Sequence, residues 1–351
     1  MTMRKLRILF IALGGLLLAL PSQAQFENFL KGGVEDANKL FNAYMTPFLK
    51  GVGYGFNNGW YNTAKPHETL GFDLTLSLNA AIVPVADQSF VFNNSDYQYT
   101  RLVGGATSAT LPTLMGGKTT ERLENYIVDP NLPPPGEVVV GDYPAPDGIG
   151  EDIQAFTFGQ LAVPSPVIQA GVGIVKGTEI KVRWMPSVNR DDFSFKYFGV
   201  GGMHSISQWI PVFKNLPFLD ISAFIGYTKF SATYAIPAGS IDGANQQAAF
   251  DVSTLTYQLL ASAHVAVVTG YIGLGMDNYT TRFRMLGTYD IYPTIPEIAV
   301  LTDPINLEAK GQGGFRTTLG VRLKLAILTL HADYTIREYN TLTAGIGFSF
   351  R

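Results

Sequence analysis

The sequence predicts an all-β chain: a closed antiparallel transmembrane β-barrel of about 12 strands, in a range of roughly 10 to 14, with an N-terminal amphipathic helical segment. Three observations carry this. The chain opens with an export signal. Its composition is glycine-rich, aromatic and poor in charge. From Leu70 onward apolar and polar residues alternate with a period of two, in stretches long enough to cross a bilayer.

Arg4, Lys5 and Arg7 precede the apolar run from Ile8 to Leu20, and Ser22 and Ala24 offer small residues at a cleavage site. The run is about 13 residues and ends at Pro21, too short for a spanning helix of roughly 20. A signal peptide over 1–24 and a mature chain from Gln25 are expected. No Cys occurs, which excludes disulfides, thiolate metal sites and a lipidated cysteine. Charged residues are 15% of the chain, aromatics 12%, glycines number 37, and mean hydropathy is +0.14; soluble domains carry about a quarter charged residues. Without Arg4, Lys5 and Arg7 the 25 basic residues fall to 22 against 28 acidic ones. No basic patch interleaved with aromatics appears, so nucleic acid is not an expected partner. Outer-membrane lipid is.

In residues 25–66, Val34, Ala37, Leu40, Phe41, Tyr44, Met45 and Phe48 recur at helical spacing opposite Asp36, Asn38 and Lys39. One amphipathic helix is expected, loosened at Pro47 and stopped by Gly51, Gly53 and Gly55. Two placements fit. Either the helix plugs the barrel, with Leu40, Phe41, Tyr44, Met45 and Phe48 as its contact residues, or it packs on the periplasmic rim.

The barrel is expected over 67–351. Leu70, Phe72, Leu74, Leu76 and Leu78 share one face, and Gly71, Asp73, Thr75, Ser77 and Asn79 the other. Further strands are read at about 153–163, 166–175, 178–185, 193–203, 218–234, 251–266, 270–290, 313–323, 326–337 and 341–350, with another in 88–104. Glu179, Lys181 and Arg183 alternate with Ile180, Val182 and Trp184. Thr254, Thr256, Gln258, Ser262 and His264 alternate with Leu255, Tyr257, Leu259, Ala263 and Val265. Arg316, Thr318, Arg322 and Lys324 alternate with Phe315, Thr317, Val321 and Leu323, and His331, Asp333 and Arg337 with Leu330, Ala332, Tyr334 and Ile336.

A soluble sandwich would turn its apolar face inward. Here strand lengths suit the roughly 9–11 residues of a tilted membrane strand. Trp60, Trp184, Trp209, Tyr227, Tyr334, Phe348 and Phe350 fall near strand ends, as interfacial girdles do. The apolar face is therefore assigned to lipid and the polar face to a lumen, and the sheet must close, because an open edge in hydrocarbon would strand backbone donors and acceptors. Turn lengths set the sides. Short turns near Lys324, 268–269 and 176–177 are periplasmic, while longer connections at 236–250 and 291–312 and the Pro-, Gly- and Thr-rich excursion 83–152 are external. The centre of 83–152 is expected to lack regular structure. The segment from Met203 to Pro217 reads as a short periplasmic helix, with Trp209, Ile210 and Phe213 in the interface.

The stretches "YMTPFLKGVGYGFNNGWYNTAKPHETLGFDLTLSLNAAIVP" (44–84) and "GVGGMHSISQWIPVFKNLPFLDISAFIGYTKF" (199–230) resemble an uncharacterised family of outer-membrane barrels from Bacteroidota. More distantly, the arrangement resembles the long-chain fatty acid transporter superfamily. The Asn-Pro-Ala tripeptide of that superfamily's hatch is absent from 25–66. The resemblance implies a location in a Gram-negative outer membrane and a channel or carrier for a hydrophobic compound.

Side chains at metal-ligand spacing are missing: His67, His204, His264 and His331 are scattered. His204-Ser205 and Ser262-x-His264 read as helix and pore lining, so no catalysis and no cofactor are expected. Arg316, Arg322, Lys324, His331, Asp333 and Arg337, with Lys181 and Arg183 elsewhere on the wall, form the candidate lumen set. Two readings stand: mutual pairing across neighbouring strands, or attraction of a carboxylate or other anion. The expected function is a passive channel or carrier for small hydrophobic or amphipathic compounds. The alternative is a surface binding or assembly barrel, for example one linked to secretion, and a lipid-modifying enzyme is the weaker third.

Overall fold

The alternation builds a closed wall. In the computed structural model, which describes residues 28–350 apart from 129, 132, 135, 191, 238–241 and 292–299, ten long antiparallel strands form a ring. They are β1 (Phe72–Ile82), β2 (Ala162–Gly173), β3 (Thr178–Arg190), β4 (Phe193–Ser205), β5 (Leu219–Ala235), β6 (Gly243–Val265), β7 (Val268–Asp290), β8 (Ile305–Leu325), β9 (Leu328–Ile336) and β10 (Thr341–Phe350). Each pairs with its neighbour in sequence, and β10 returns to β1 from Phe72↔Phe350 to Ala81↔Thr341. Closure leaves the ring without an edge. The expected signal peptide lies outside the described residues. Among the described residues no helix is long and apolar enough to cross a membrane.

The ring has ten strands where about 12 were expected, and the sequence itself explains the difference. Residues 153–163 are mostly short helical turns, Gly150–Ile153 and Gln154–Phe156, and β2 starts only at Ala162. Residues 88–104 do hold strands, Ser89–Asn93 and Thr100–Leu102, but they pair with Ser108–Pro112 and Arg122–Val128 in two small sheets outside the ring. The excursion 83–152 is thus largely regular, with Arg122–Val128 and Glu137–Pro144 pairing across its centre. Its alternating Phe92, Leu102, Leu111, Leu123 and Tyr143 are buried in the main hydrophobic cluster, which gives those strands an apolar face to fold against. The segment after β4 forms two 3₁₀ turns, Ser207–Trp209 and Pro211–Asn215, in place of one helix.

At one end of the ring the connections are tight: residues 266–267 and 326–327 each join two strands, with Ala266 and Ala326 at positive φ. At the other end β5 to β8 run on for 17, 23, 23 and 21 residues, about twice the span of a bilayer. Within the stretches expected as loops, 236–250 and 291–312, residues 243–250 and 305–312 are these extensions. Along them the alternation keeps its period and reverses its chemistry. Near the tight turns Ile272, Leu274, Leu319 and Val321 face out and Thr256, Gln258, Arg316 and Thr318 face in. Beyond Asp277, Arg282, Glu308 and Lys310 face out and Phe250, Phe283, Met285, Ile305 and Leu307 face in. The reversal on β7 and β8 coincides with a bulge where Asp277↔Gly314 gives way to Tyr279↔Gly311.

The wall is thinnest between β2 and β3, which pair over only five positions, Gln169↔Arg183 to Gly173↔Glu179. Pro164 and Pro166 of β2 have no N–H to offer a partner strand. The Tyr197 hydroxyl stands in, accepting from Ile168 N at 2.7 Å and lying 3.1 Å from Ile168 O.

Candidate functional site

The lumen is occupied by the chain's own N-terminal segment. Helix α1 (Gly33–Phe56) is about 36 Å long and enters from the end with the long strands. It buries Leu40, Phe41, Tyr44, Met45 and Phe48, all of the expected plug residues, each at most 2% exposed. Phe48 meets Phe250 of β6 with ring centroids 5.9 Å apart. Of the two placements left open by the sequence, the helix takes the one inside the ring. The glycines expected to stop the helix are helical and give clearance. A Cβ on Gly51 would lie 2.4 Å from Val163, one on Gly55 2.1 Å from Ser165, and one on Gly53 2.5 Å from Tyr279. Gly51 and Gly55 share the face towards β2, so the helix fits between β2 and β7 only where side chains are missing.

At Phe56 the helix ends in mid-barrel, where its last carbonyls need partners. Three arginines from the wall supply them. Arg183 of β3 donates to Phe56 O at 2.7 Å and Asn58 O at 2.6 Å. Arg316 of β8 donates to Asn57 O at 3.1 Å and Asn58 Oδ1 at 2.6 Å. Arg337, just past β9, donates to Tyr54 O at 2.7 Å and Asn58 Oδ1 at 3.0 Å. Cations at a helix C-terminus oppose the negative end of its dipole. Asp277 of β7 is the shared counter-ion: it is 3.1 Å from Arg316 and also paired with Arg337, and all three side chains are at most 2% exposed. Among the described residues no carboxylate pairs with Arg183. Its guanidinium lies 3.5 Å from the Trp60 ring centroid, a cation–π contact in a dry site, and it bonds Gln169 and Thr228.

Below this collar, residues 57–67 run on towards the tight-turn end. Tyr61 donates to Gln258 at 2.6 Å, Ala64 N to Ser262 Oγ at 3.0 Å, and His67 N to Glu179 Oε2 at 3.1 Å. The chain then turns at Leu70, at φ +66°, into β1. Along this segment Asn79, Ser165, Arg183, Ser222, Thr256 and Thr335, from six strands, are each 0% exposed. No water reaches them.

Every wall residue of the candidate lumen set faces inward, as the alternation required, but the fold divides them. Arg183, Arg316 and Arg337 make the collar. Asp333 accepts from Tyr271 at 3.0 Å. Lys181 pairs with Glu179 and lies 3.8 Å from Asp73. His331 Nε2 is 3.4 Å from Ser77 Oγ, and its Nδ1 has no partner. Arg322 and Lys324 line a cavity at the tight-turn mouth. Histidine spacing gave no metal site, yet the fold gathers His67, Asp73 and Glu179 with ligand atoms within 4.8 Å of one another. Lys181 Nζ already sits on two of these groups as their cation. Trp60 is not a girdle residue: it is 1% exposed in the lumen. Phe72 and Phe350, stacked at 5.8 Å, and Trp209, 66% exposed, are placed as girdles require.

Sequence reasoning missed Asp277, Asn57 and Asn58. The asparagine pair directly after a glycine-rich helix end was a visible sign of a chain terminus needing polar partners. Asp277 was hidden in the bulge that breaks the alternation.

The model of a family described as a family of unknown function (DUF6588) matches residues 3–350. No curated protein matches the chain significantly. Among solved structures, the translocator domain of the autotransporter NalP from Neisseria meningitidis is similar at 8% identity and TM-score 0.29, over 87% of this chain and 93% of that one. The outer membrane protease OmpT from Escherichia coli is similar at 8% and 0.25, over 80% and 95%, and the toluene transporter TodX from P. putida at 7% and 0.24, over 80% and 90%. At such scores the likeness carries no argument about function.

Proposed function

The chain belongs to the DUF6588 family, whose function is unknown, and from that premise we propose that it is a closed outer-membrane anchor. It would hold the external sheets of residues 83–161 and the long outer walls of β5 to β8 at the cell surface for binding or assembly. The observation that carries this reading is the burial of six inward polar residues, on six strands, against the segment 57–67 that fills the lumen. The charged outward faces of the outer half support it, since they suit water and protein, not lipid. Carriage of a small hydrophobic compound, as the resemblance to fatty acid transporters implies, would need an apolar route. The apolar interior is in the outer half, where α1 fills it, and the membrane-level interior is polar. Transport through this barrel therefore requires residues 57–67 to leave.

Reconstituted in planar bilayers and in liposomes, the wild type is expected to give no steady conductance and no uptake of a hydrophobic dye. Arg183→Ala combined with Arg316→Ala is expected to open it, because the plug loses four of its carbonyl and amide contacts. Steady conductance or dye uptake by the wild type would overturn the closed-anchor reading and restore the channel.

A further inference from the structure

The mouth at the tight-turn end holds charge that the lumen network does not use. A cavity of about 200 Å³ opens there, lined by Thr63, Lys65, Arg322, Lys324, Ser349 and, across from them, Asp220 with His264. Arg322 hangs inward from β8 and is 8% exposed. Its one hydrogen bond is from Nη2 to Ser349 Oγ at 3.3 Å, and its Nε has none. Among the described residues no carboxylate lies within ion-pair distance of Arg322, Lys324 or Lys65. Arg316 and Arg337, buried at 2% of their side chains, share Asp277 and reach four backbone or amide oxygens between them, so a buried arginine with one long bond departs from the barrel's own pattern. A buried guanidinium with open donors is costly unless an acceptor reaches it.

We infer that this cavity binds a phosphate group from the periplasmic side. Arg322 is the anchor and takes two oxygens in its planar fork. Lys324, two residues further along the same face, and Lys65, on the segment that crosses the mouth, close on the remaining oxygens as point charges. Asp220, 3.8 Å from His264, faces Lys65 across the mouth without an ion-pair contact, so a phosphate has to share Lys65 with it. Glu68 at the rim is the one further carboxylate on the wall. The volume exceeds several water molecules at roughly 30 Å³ each, so a phosphate with part of an ester substituent fits. The group would come either from free phosphate in the periplasm or from the head of a phospholipid in the inner leaflet. The inference holds whether or not the lumen opens.

The test is titration of the detergent-purified full chain with inorganic phosphate by calorimetry, together with native mass spectrometry of protein extracted from membranes. Saturable binding that weakens with salt is expected, at least ten-fold weaker in Arg322→Gln and several-fold weaker in Lys324→Gln and Lys65→Gln. Retained phospholipid displaced by excess phosphate would assign the head group. Phosphate binding with no retained lipid would assign the free anion. If Arg322→Gln fails to fold, shown by loss of the heat-modifiable gel shift, the double Lys324→Gln, Lys65→Gln variant decides. Affinity unchanged in a folded variant, or neither phosphate binding nor retained phospholipid in the wild type, overturns the site. Conductance plays no part in this readout, so it fails or stands apart from the closed-anchor reading.

Discussion

From Tyr271 to Asp277, β7 turns Tyr271 and Asp277 inward and Ile272, Leu274 and Met276 outward. From Tyr279 to Met285 the same strand turns Tyr279, Phe283 and Met285 inward and Thr280, Arg282 and Arg284 outward. The lower half has a polar interior and an apolar exterior; the upper half has the arrangement of a soluble domain, with α1 as its core. The backbone period is identical, so the solvent on each side decides the chemistry. In hydrocarbon an exposed charge is penalised and a buried polar network must satisfy itself. In water the usual burial of about 1.5–3 kcal/mol per large apolar side chain takes over. The bulge at Asp277 marks where the two arrangements meet on this strand.

The sharpest test of that contrast sets two aspartates against each other. Asp277→Ala leaves Arg316 and Arg337 buried without their carboxylate, and a loss of about 3–5 kcal/mol is expected. Asp251→Ala removes a pairing with Arg284 at 2.7 Å on the watered outer face, where both side chains are more than a third exposed, and should cost at most about 1 kcal/mol. Urea midpoints for refolding into lipid vesicles compare them. Equal losses would mean that the two halves share one environment.

A charge placed on the outward face gives the next effect. Leu274→Arg is expected to cost about 2–4 kcal/mol near the bilayer midplane, and Thr280→Arg, six residues further along the same face, close to nothing. The chain has no cysteine, so Leu274→Cys and Arg282→Cys can be read without background. An impermeant maleimide should label the second on intact cells and spare the first. Labelling of both would move the boundary towards the tight turns; labelling of neither would place β7 to β8 wholly in lipid.

The same contrast explains what the sequence could tell. Which way Arg183, Arg316, Arg322 and Asp333 point was legible because a period of two fixes faces locally. The strand count was not, because alternation in 88–104 looks the same whether the strand joins the ring or a small external sheet. The placement of α1 was open because its partners are far off in sequence: Arg183 reaches Asn58 over 125 residues and Arg316 reaches Asn57 over 259. Nor could pairing and anion attraction be separated along one strand. The fold uses both, with Arg316 opposite Asp277 and Arg322 six residues away facing a cavity.

The smallest effect falls where the two halves meet. Glu338, in the turn after β9, accepts from Tyr54 at 2.6 Å and from Lys50 at 2.9 Å, tying the last turns of α1 to the wall. Burial raises its carboxyl pKa, but the hydrogen bonds from Tyr54 and Lys50 outweigh it and hold the group below its ordinary value of 4.5. The unfolded state thus takes up a proton at higher pH than the folded one, and the contribution is complete above about 4.5 and lost as pH falls through the lowered value. Glu338 is 51% exposed, so water screens most of it. Lowering the pH from about 5 to about 3 should loosen the outer end of α1 slightly, read as faster amide exchange at Lys50 to Tyr54, with little change at Asn57 and Asn58 below. Glu338→Gln should lose that pH dependence. If Asn57 and Asn58 exchange faster in step with Lys50, helix and collar open as one unit and the division between the halves does not extend to the plug.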